Sequence, residues 1–133
     1  MAPERRVVID HLTIGVRDLE RSRRFYATAL EPLGFREMGP WSDAAREIAF
    51  GVEGADDFAI SSQYEPGGQL HIAFSADSRE AVEAFYAAAL RAGGRPNGEP
   101  GERPEYAAGY YGAFVLDPDG HNVEAVFHGG RAG

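Results

Sequence analysis

The 133-residue sequence contains no cysteine and no lysine, and each absence excludes several kinds of chemistry. Without cysteine, the chain has no disulfide scaffold, no thiolate nucleophile and no cysteine-ligated zinc or iron-sulfur site. All 13 basic residues are arginines, so Schiff-base chemistry and a P-loop lysine are excluded as well. Any metal ion must therefore be held by histidine, aspartate or glutamate.

Long apolar runs are also absent, since no stretch approaches the roughly 18 consecutive apolar residues of a membrane span. No apolar signal core follows Glu4, Arg5 and Arg6, so a cytoplasmic location is expected. The 21 acidic residues outnumber the 13 basic ones and give a net charge of -8, which repels nucleic acid and anionic membranes. We therefore expect neither a nucleic-acid nor a membrane partner, and one domain over residues 1–133.

The chain contains an internal repeat. Residues 10–34 align with residues 70–94 at an offset of 60, which superimposes His11 on His71 and one Phe-Tyr-Ala-x-Ala-Leu block on another. Such self-similarity is typical of a fold built from two copies of one unit. The two predicted modules cover about residues 6–65 and 68–128.

Within each module the periodicity predicts a strand, a helix and then antiparallel strands, which gives an α+β fold of two tandem βαβββ units. Alternation predicts a strand over Val7–Val16, and helical spacing predicts a helix over Leu19–Leu30 with Asp18 as its N-cap. In the second module, Asp77 and Glu80 are spaced as in a capping box. Further strands are predicted at Glu47–Val52, Phe58–Tyr64, Ala113–Leu116 and Asn122–Phe127, with a turn at residues 117–120.

Small and polar side chains share the strand faces opposite the helices, a composition typical of a cavity that carries chemistry. His11 and His71 occupy equivalent positions on two pseudo-symmetric strands, and they should approach each other across the symmetry axis. Glu124 lies on the inner face of the last strand. Two imidazoles and one carboxylate form a facial triad, which holds Fe(II), Mn(II) or a related divalent ion with open coordination positions. The sequence therefore predicts a metal site at these three residues.

Three segments resemble the vicinal oxygen chelate superfamily, which contains glyoxalase I, extradiol dioxygenases, fosfomycin-modifying thiol transferases and bleomycin-binding proteins. They read DHLTIGVRDLERSRRFYATAL, LHIAFSADSREAVEAFYAAALRAGG and GAFVLDPDGHNVEAVFH. The resemblance itself extends over nearly the whole chain. The resemblance implies a cupped, partly open mixed sheet around a divalent metal ion (Fe, Mn, Zn or Ni), commonly in a homodimer. It assigns the metal to His11, His71 and Glu124. The modules could pair within one chain or across the dimer.

One departure from glyoxalase I concerns a fourth metal ligand, which that enzyme takes from the last strand of its first module. When the final segments of the two modules are aligned at an offset of 64, the residue opposite Glu124 is Ile60. We therefore expect Ile60 to face the metal, and no acidic residue occurs over residues 58–64. The isomerase mechanism is disfavoured. The larger offset also predicts about four extra residues in a loop over residues 95–104.

The three-ligand pattern resembles that of the dioxygenases and the fosfomycin transferases. The common dioxygenase has four modules, however, and the fosfomycin transferases use a lysine. The reaction branch is left open among dioxygenase, lyase and thiol transferase, acting on a small molecule that chelates the ion through adjacent oxygens. The alternative is a metal-independent drug-binding protein of the bleomycin-resistance type, whose cationic ligand the acidic charge would suit. The three retained ligands favour the enzyme.

Other polar and aromatic residues are weaker candidates. Tyr64 and His128 correspond across the repeat at the offset of 64, and either could orient the substrate or transfer a proton. His121 follows the predicted turn and is expected to be exposed. Four aromatic residues flank loops that could wall an apolar pocket: Trp41, Tyr106, Tyr110 and Tyr111.

Overall fold

The computed structural model describes residues 9–38 and 46–129, and the predicted α+β order of elements is confirmed. The first module contains β1 (Leu12–Gly15), α1 (Leu19–Leu30), β2 (Arg36–Met38), β3 (Glu47–Gly51) and β4 (Phe58–Ser61), with a short 3-10 helix at Glu31–Leu33. The second contains β5 (His71–Ser75), α2 (Arg79–Arg91), β6 (Arg95–Glu102), β7 (Tyr110–Leu116) and β8 (Asn122–His128). Neither helix in the described ranges is long and apolar enough to cross a membrane.

Each module forms its own four-stranded mixed sheet, in the orders β1-β4-β3-β2 and β5-β8-β7-β6. In both sheets the first strand pairs in parallel with the last, and the other neighbouring pairs are antiparallel. The helix of each module supplies the crossover that a parallel pair requires. This topology puts the first and last strands of a module side by side, so residues far apart in sequence share one face.

The two helices begin at side-chain caps. Asp18 accepts a hydrogen bond from the Arg21 N–H at 3.0 Å, so α1 begins as predicted. The predicted capping box at Asp77 is wrong by one residue. Ser78 is the N-cap of α2, and its hydroxyl oxygen accepts from the Ala81 N–H at 3.0 Å.

Several predicted strands are too long. The predicted strand Val7–Val16 is reduced to β1 among the described residues, and residues 7 and 8 lie outside them. β4 ends at Ser61, and the chain then turns across the end of β1. A Cβ on Gly15 would lie only 2.5 Å from the Tyr64 carbonyl oxygen and 2.4 Å from that of Glu65. Glycine at this position therefore permits the close approach of the turn.

The expected loop over residues 95–104 is mostly a strand. β6 pairs with β7, and its register shifts between Pro96 and Gly98 and again between Gly98 and Gly101. Bulges of this kind insert residues into a strand without ending its pairing. The extra residues of the second module are therefore accommodated by an irregular edge strand.

One hydrophobic core joins the two modules. It is formed by apolar residues of both helices and by one face of each sheet. Phe58 of β4 and Phe74 of β5 meet edge to face at a ring separation of 5.2 Å, which links the two sheets. Because successive strand residues point to opposite faces, the second face of each sheet points away from this shared core. The outward face of the second sheet carries His71 and Glu124.

A buried hydrogen bond ties the β7–β8 turn to α1. The Tyr26 hydroxyl donates to Asp117 Oδ2 at 2.6 Å, and both residues are buried. Burial, together with the Asp117 carboxylate, raises the pKa of Tyr26. The Asp117 Oδ1 atom also accepts the backbone N–H groups of Asp119 and His121. The carboxylate therefore fixes the turn and depends on Tyr26 for one of its donors.

We expect Tyr26→Phe to lower the free energy of unfolding by about 1–3 kcal/mol, because a buried carboxylate oxygen would lose its donor. Tyr86 is the counterpart of Tyr26 in α2 and makes no side-chain hydrogen bond among the described residues. Tyr86→Phe should therefore lower the free energy of unfolding by less. Urea denaturation of both variants measures the difference, and equal losses would contradict the assigned role of the Tyr26 hydroxyl.

Candidate metal centre

A histidine–glutamate pair lies on the outward face of the second sheet. β5 and β8 are parallel neighbours in which Ala73 pairs with Glu124, and His71 lies two residues before Ala73 on the same face. The His71 Nε2 atom is 2.8 Å from Glu124 Oε1. The carboxylate is 1% exposed, whereas the His71 side chain is 52% exposed. The pair therefore presents an imidazole to the outside and holds a carboxylate beneath it.

The second oxygen of the carboxylate has its own partner. The Tyr110 hydroxyl on β7 donates a hydrogen bond to Glu124 Oε2. Burial raises the pKa of Tyr110, and the hydrogen bond to Glu124 raises it further, so the phenol stays protonated as the donor. A Cβ on Gly112 would lie 3.0 Å from Glu124 Oε2 and 3.2 Å from Tyr110 Cε1. Glycine at position 112 thus leaves the space in which tyrosine and carboxylate meet.

His11 lies apart from this pair. Its side chain is 61% exposed, and its Nδ1 atom is 2.9 Å from Asp10 Oδ1. The hydrogen bond and the charge of Asp10 raise the pKa of His11. Residues 9–38 and 46–129 contain no group of three or more His, Asp or Glu side chains close enough to hold a metal ion. One chain therefore brings together His71 and Glu124, without His11.

The strand register corrects the expectation that Ile60 faces the metal. Thr13 pairs with Ala59 in the first module, as Ala73 pairs with Glu124 in the second, so Ala59 is the counterpart of Glu124. The final strands thus align at an offset of 65, one residue more than predicted. A slip of one residue reverses every side chain of a strand. Ile60 is fully buried in the shared core, and the outward face of β4 offers alanine instead of a carboxylate.

Tyr64 and His128 fall in different surroundings. Tyr64 lies in the turn after β4 and is 57% exposed. His128 lies on β8, and its ring meets that of Tyr110 edge to face at 5.2 Å. At the offset of 65 the counterpart of His128 is Gln63, so the two candidates are not equivalent across the repeat. His128 therefore packs on Tyr110, the residue that donates a hydrogen bond to Glu124.

The remaining candidates divide between core and surface. His121 is buried, contrary to expectation, and its Nδ1 atom accepts the Leu70 N–H at 3.0 Å. Tyr111 faces the helices, and its hydroxyl donates to Glu83 Oε2 at 2.6 Å. Tyr106 is 60% exposed and packs edge to face on Tyr110. Trp41 lies outside the described residues.

The sequence reasoning misses the contact between Tyr110 and Glu124. The sequence predicts Tyr110 only as a possible pocket wall, although Tyr110, Gly112 and Phe114 alternate along one face of β7. Phe114 is the direct cross-strand partner of Glu124. A tyrosine four residues before that partner, with glycine between, is the signal that could have shown the contact.

Two mixed sheets of this order, each with one crossover helix, define a protein of paired βαβββ modules. The chain belongs to the Glyoxalase/Bleomycin resistance protein/Dioxygenase superfamily, whose family model matches residues 8–125. The resemblance seen in the sequence is thereby confirmed. Members of this superfamily commonly use divalent metals, bind small molecules and often form dimers.

Individual relatives are similar over most of their length. The uncharacterized protein YqjT of Bacillus subtilis (strain 168) is 31% identical over 125 residues, which cover 87% of this chain and 95% of that protein. The structure of a glyoxalase/bleomycin resistance protein from Albidiferax ferrireducens T118 is 31% identical, with a TM-score of 0.72 over 89% of this chain and 96% of that chain. The fosfomycin resistance protein FosX from Mesorhizobium loti is 25% identical, with a TM-score of 0.63 over 88% of each chain.

Proposed function

We propose that this protein is a metal-dependent enzyme whose substrate is a small molecule that binds the ion through adjacent oxygens. The ion would be held by His71 and Glu124 of one chain and by His11 of a second copy. The observation that carries the proposal is the contact between His71 Nε2 and Glu124 Oε1 on an outward sheet face. The reaction branch lies among dioxygenase, lyase and thiol transferase chemistry.

The pair fits a metal ion in spacing and in chemistry. Two ligand atoms each about 2.1 Å from an ion and at right angles to each other lie about 3 Å apart. His71 Nε2 and Glu124 Oε1 are separated by 2.8 Å. A buried carboxylate beside a half-exposed imidazole supplies one charge and leaves the outer side accessible. Imidazole and carboxylate donors suit Fe, Mn, Zn and Ni.

The third ligand is assigned to a second copy because the two modules of one chain pack on a shared core, which leaves His11 apart from His71 and Glu124. His71 lies on the outward face of β5 and His11 immediately precedes β1, and both side chains are more than half exposed. In a two-fold dimer, a contact from the first module to the second module of the partner is repeated in reverse. Such a dimer would cover both outward faces and form two equivalent sites.

The chemistry follows from what surrounds the pair. A bound divalent ion supplies Lewis acidity, which stabilises negative charge that develops on the oxygens of the substrate. Tyr110 holds Glu124 by its second oxygen, so the carboxylate keeps its orientation when its first oxygen changes partner. The ring of Phe114 lies 6.1 Å from that of His71 and places an apolar surface beside the pair. β4 contains no carboxylate, so this strand supplies no further ligand and leaves a coordination position for the substrate.

The metal-independent binding protein stays the second candidate, and one observation favours it. Each oxygen of Glu124 accepts a hydrogen bond, one from His71 and one from Tyr110, so protein groups alone can satisfy the carboxylate. The net charge of the protein, -8, would favour a cationic ligand. Metal content separates the two candidates.

We expect the protein, purified without an affinity tag, to be a dimer that binds one divalent ion per chain. The measurements are light scattering at micromolar concentration and elemental analysis after loading with Mn²⁺ and removal of the excess. A dimer without metal would favour the binding protein. A monomer that binds metal tightly would contradict the assignment of His11 to a second copy.

A further inference from the structure

An arginine lies on the same sheet face as the histidine–glutamate pair. The guanidinium carbon of Arg103 is 5.5 Å from the ring centroid of Phe114. The same ring lies 6.1 Å from the His71 ring, and Phe114 is the cross-strand partner of Glu124. Arg103 and His71 thus lie beside the same aromatic ring. A small organic ligand bound over this ring could reach both side chains.

The charge of Arg103 is not neutralised within the described part of the chain. Its guanidinium donates to the carbonyl oxygens of Glu99 at 2.7 Å and Glu102 at 3.4 Å. No carboxylate among residues 9–38 and 46–129 forms an ion pair with it. Arg79 differs from Arg103 in this respect. It also stacks on an aromatic ring, that of Tyr111, but it forms an ion pair with the Glu102 carboxylate at 2.8 Å.

The surrounding backbone is shaped around the ring and the guanidinium. Gly98 has a φ of +155°, and a Cβ there would lie 2.8 Å from Phe114 Cδ1. A Cβ on Gly101 would lie 3.0 Å from Arg103 Nη1. The irregular β6 strand therefore makes room for both groups. The carbonyl contacts hold Arg103 in place before a ligand arrives, which lowers the entropy that binding costs.

We propose that Arg103 binds an anionic group, a carboxylate or a phosphonate, on the same ligand that chelates the metal. The chelating half of this ligand rests on the proposed function. A guanidinium presents a planar fork of N–H donors that matches such oxyanions, and it is less strongly hydrated than an ammonium group. The substrate class is therefore a small organic acid with two adjacent oxygens at one end and the anionic group at the other.

Three ligands with the same chelating end test this assignment on Mn²⁺-loaded protein. Catechol has no anionic substituent, 3,4-dihydroxybenzoate adds a carboxylate, and 3,4-dihydroxyphenylphosphonate adds a phosphonate. Calorimetry gives the Kd of each ligand for the protein, Arg103→Gln and Arg103→Lys. We expect Arg103→Gln to reduce the preference for the anionic ligands over catechol by about tenfold, with the Kd of catechol unchanged. The favoured anion identifies the substituent.

Arg79→Gln is the matched control, because it removes a stacked arginine on the other face of β7, and it should leave the preference unchanged. Arg103→Lys keeps the charge without the fork and should retain part of the preference. An equal preference in the protein and in Arg103→Gln would overturn the proposal. If Mn²⁺ does not bind, the metal site fails separately. Inorganic phosphate should still shift the Phe114 amide resonance of metal-free protein but not of Arg103→Gln, and no shift in either would overturn the anion site.

Discussion

Replacing Ile60 with glutamate should lower the free energy of unfolding by about 4 kcal/mol or more. Ile60 is fully buried and belongs to the core shared by both modules. A carboxylate at this position would lose its hydration, and the surrounding residues are apolar. The expected result is a variant that is unfolded, or that has a much lower melting temperature, with no gain in metal affinity.

Ala59→Glu is the control for this experiment, because it places the same side chain one residue earlier on the outward face. Ala59 is the counterpart of Glu124, so its carboxylate would lie on the side of the proposed metal. We expect a clearly smaller loss of stability and tighter metal binding, since a fourth ligand becomes available. If Ile60→Glu proves no more destabilising than Ala59→Glu, the register assigned to β4 is wrong.

The second large effect concerns Glu124. Glu124→Gln keeps the shape of the side chain but removes its charge, and we expect the affinity for Mn²⁺ to fall more than about 100-fold. Tyr110→Phe removes only the hydrogen bond that orients the carboxylate, so a smaller loss of about 10- to 100-fold is expected. Equilibrium dialysis against Mn²⁺ measures both.

Glu83 provides a matched control, because it is also a carboxylate that accepts a hydrogen bond from a tyrosine, Tyr111, at 2.6 Å. Tyr111 belongs to the helix-facing core, so this pair has no place in the proposed site. Glu83→Gln should leave metal affinity unchanged. A full complement of tightly bound metal in Glu124→Gln would remove Glu124 from the ligand set.

The sequence predicts the repeat, the fold class and one contact of the site. His71 and Glu124 are found because face alternation on two strands depends only on local periodicity. The helix α1 is found because its cap and its apolar spacing agree. The face of Ile60 is predicted wrongly because it depends on long-range register, and the bulges in β6 change the spacing of the repeat.

Two further features depend on three-dimensional packing. The contact of Tyr110 with Glu124 requires the space that Gly112 leaves open, which no local pattern expresses. The position of His121 after a turn predicts an exposed side chain, but its ring is buried and accepts a hydrogen bond from the Leu70 N–H. The separation of His11 from His71 follows from the shared core, which turns both outward faces away from each other.

The most direct test of a metal site built from two chains combines two variants that each lack one ligand. His11→Ala and Glu124→Ala should each fail to bind Mn²⁺ tightly, because every site in either homodimer lacks one ligand. When equal amounts are unfolded together and refolded, half of the dimers should be mixed, and each mixed dimer contains one intact site. The account predicts recovery of about a quarter of the metal sites of the unmodified protein. No recovery, with both chains folded and dimeric, would contradict it.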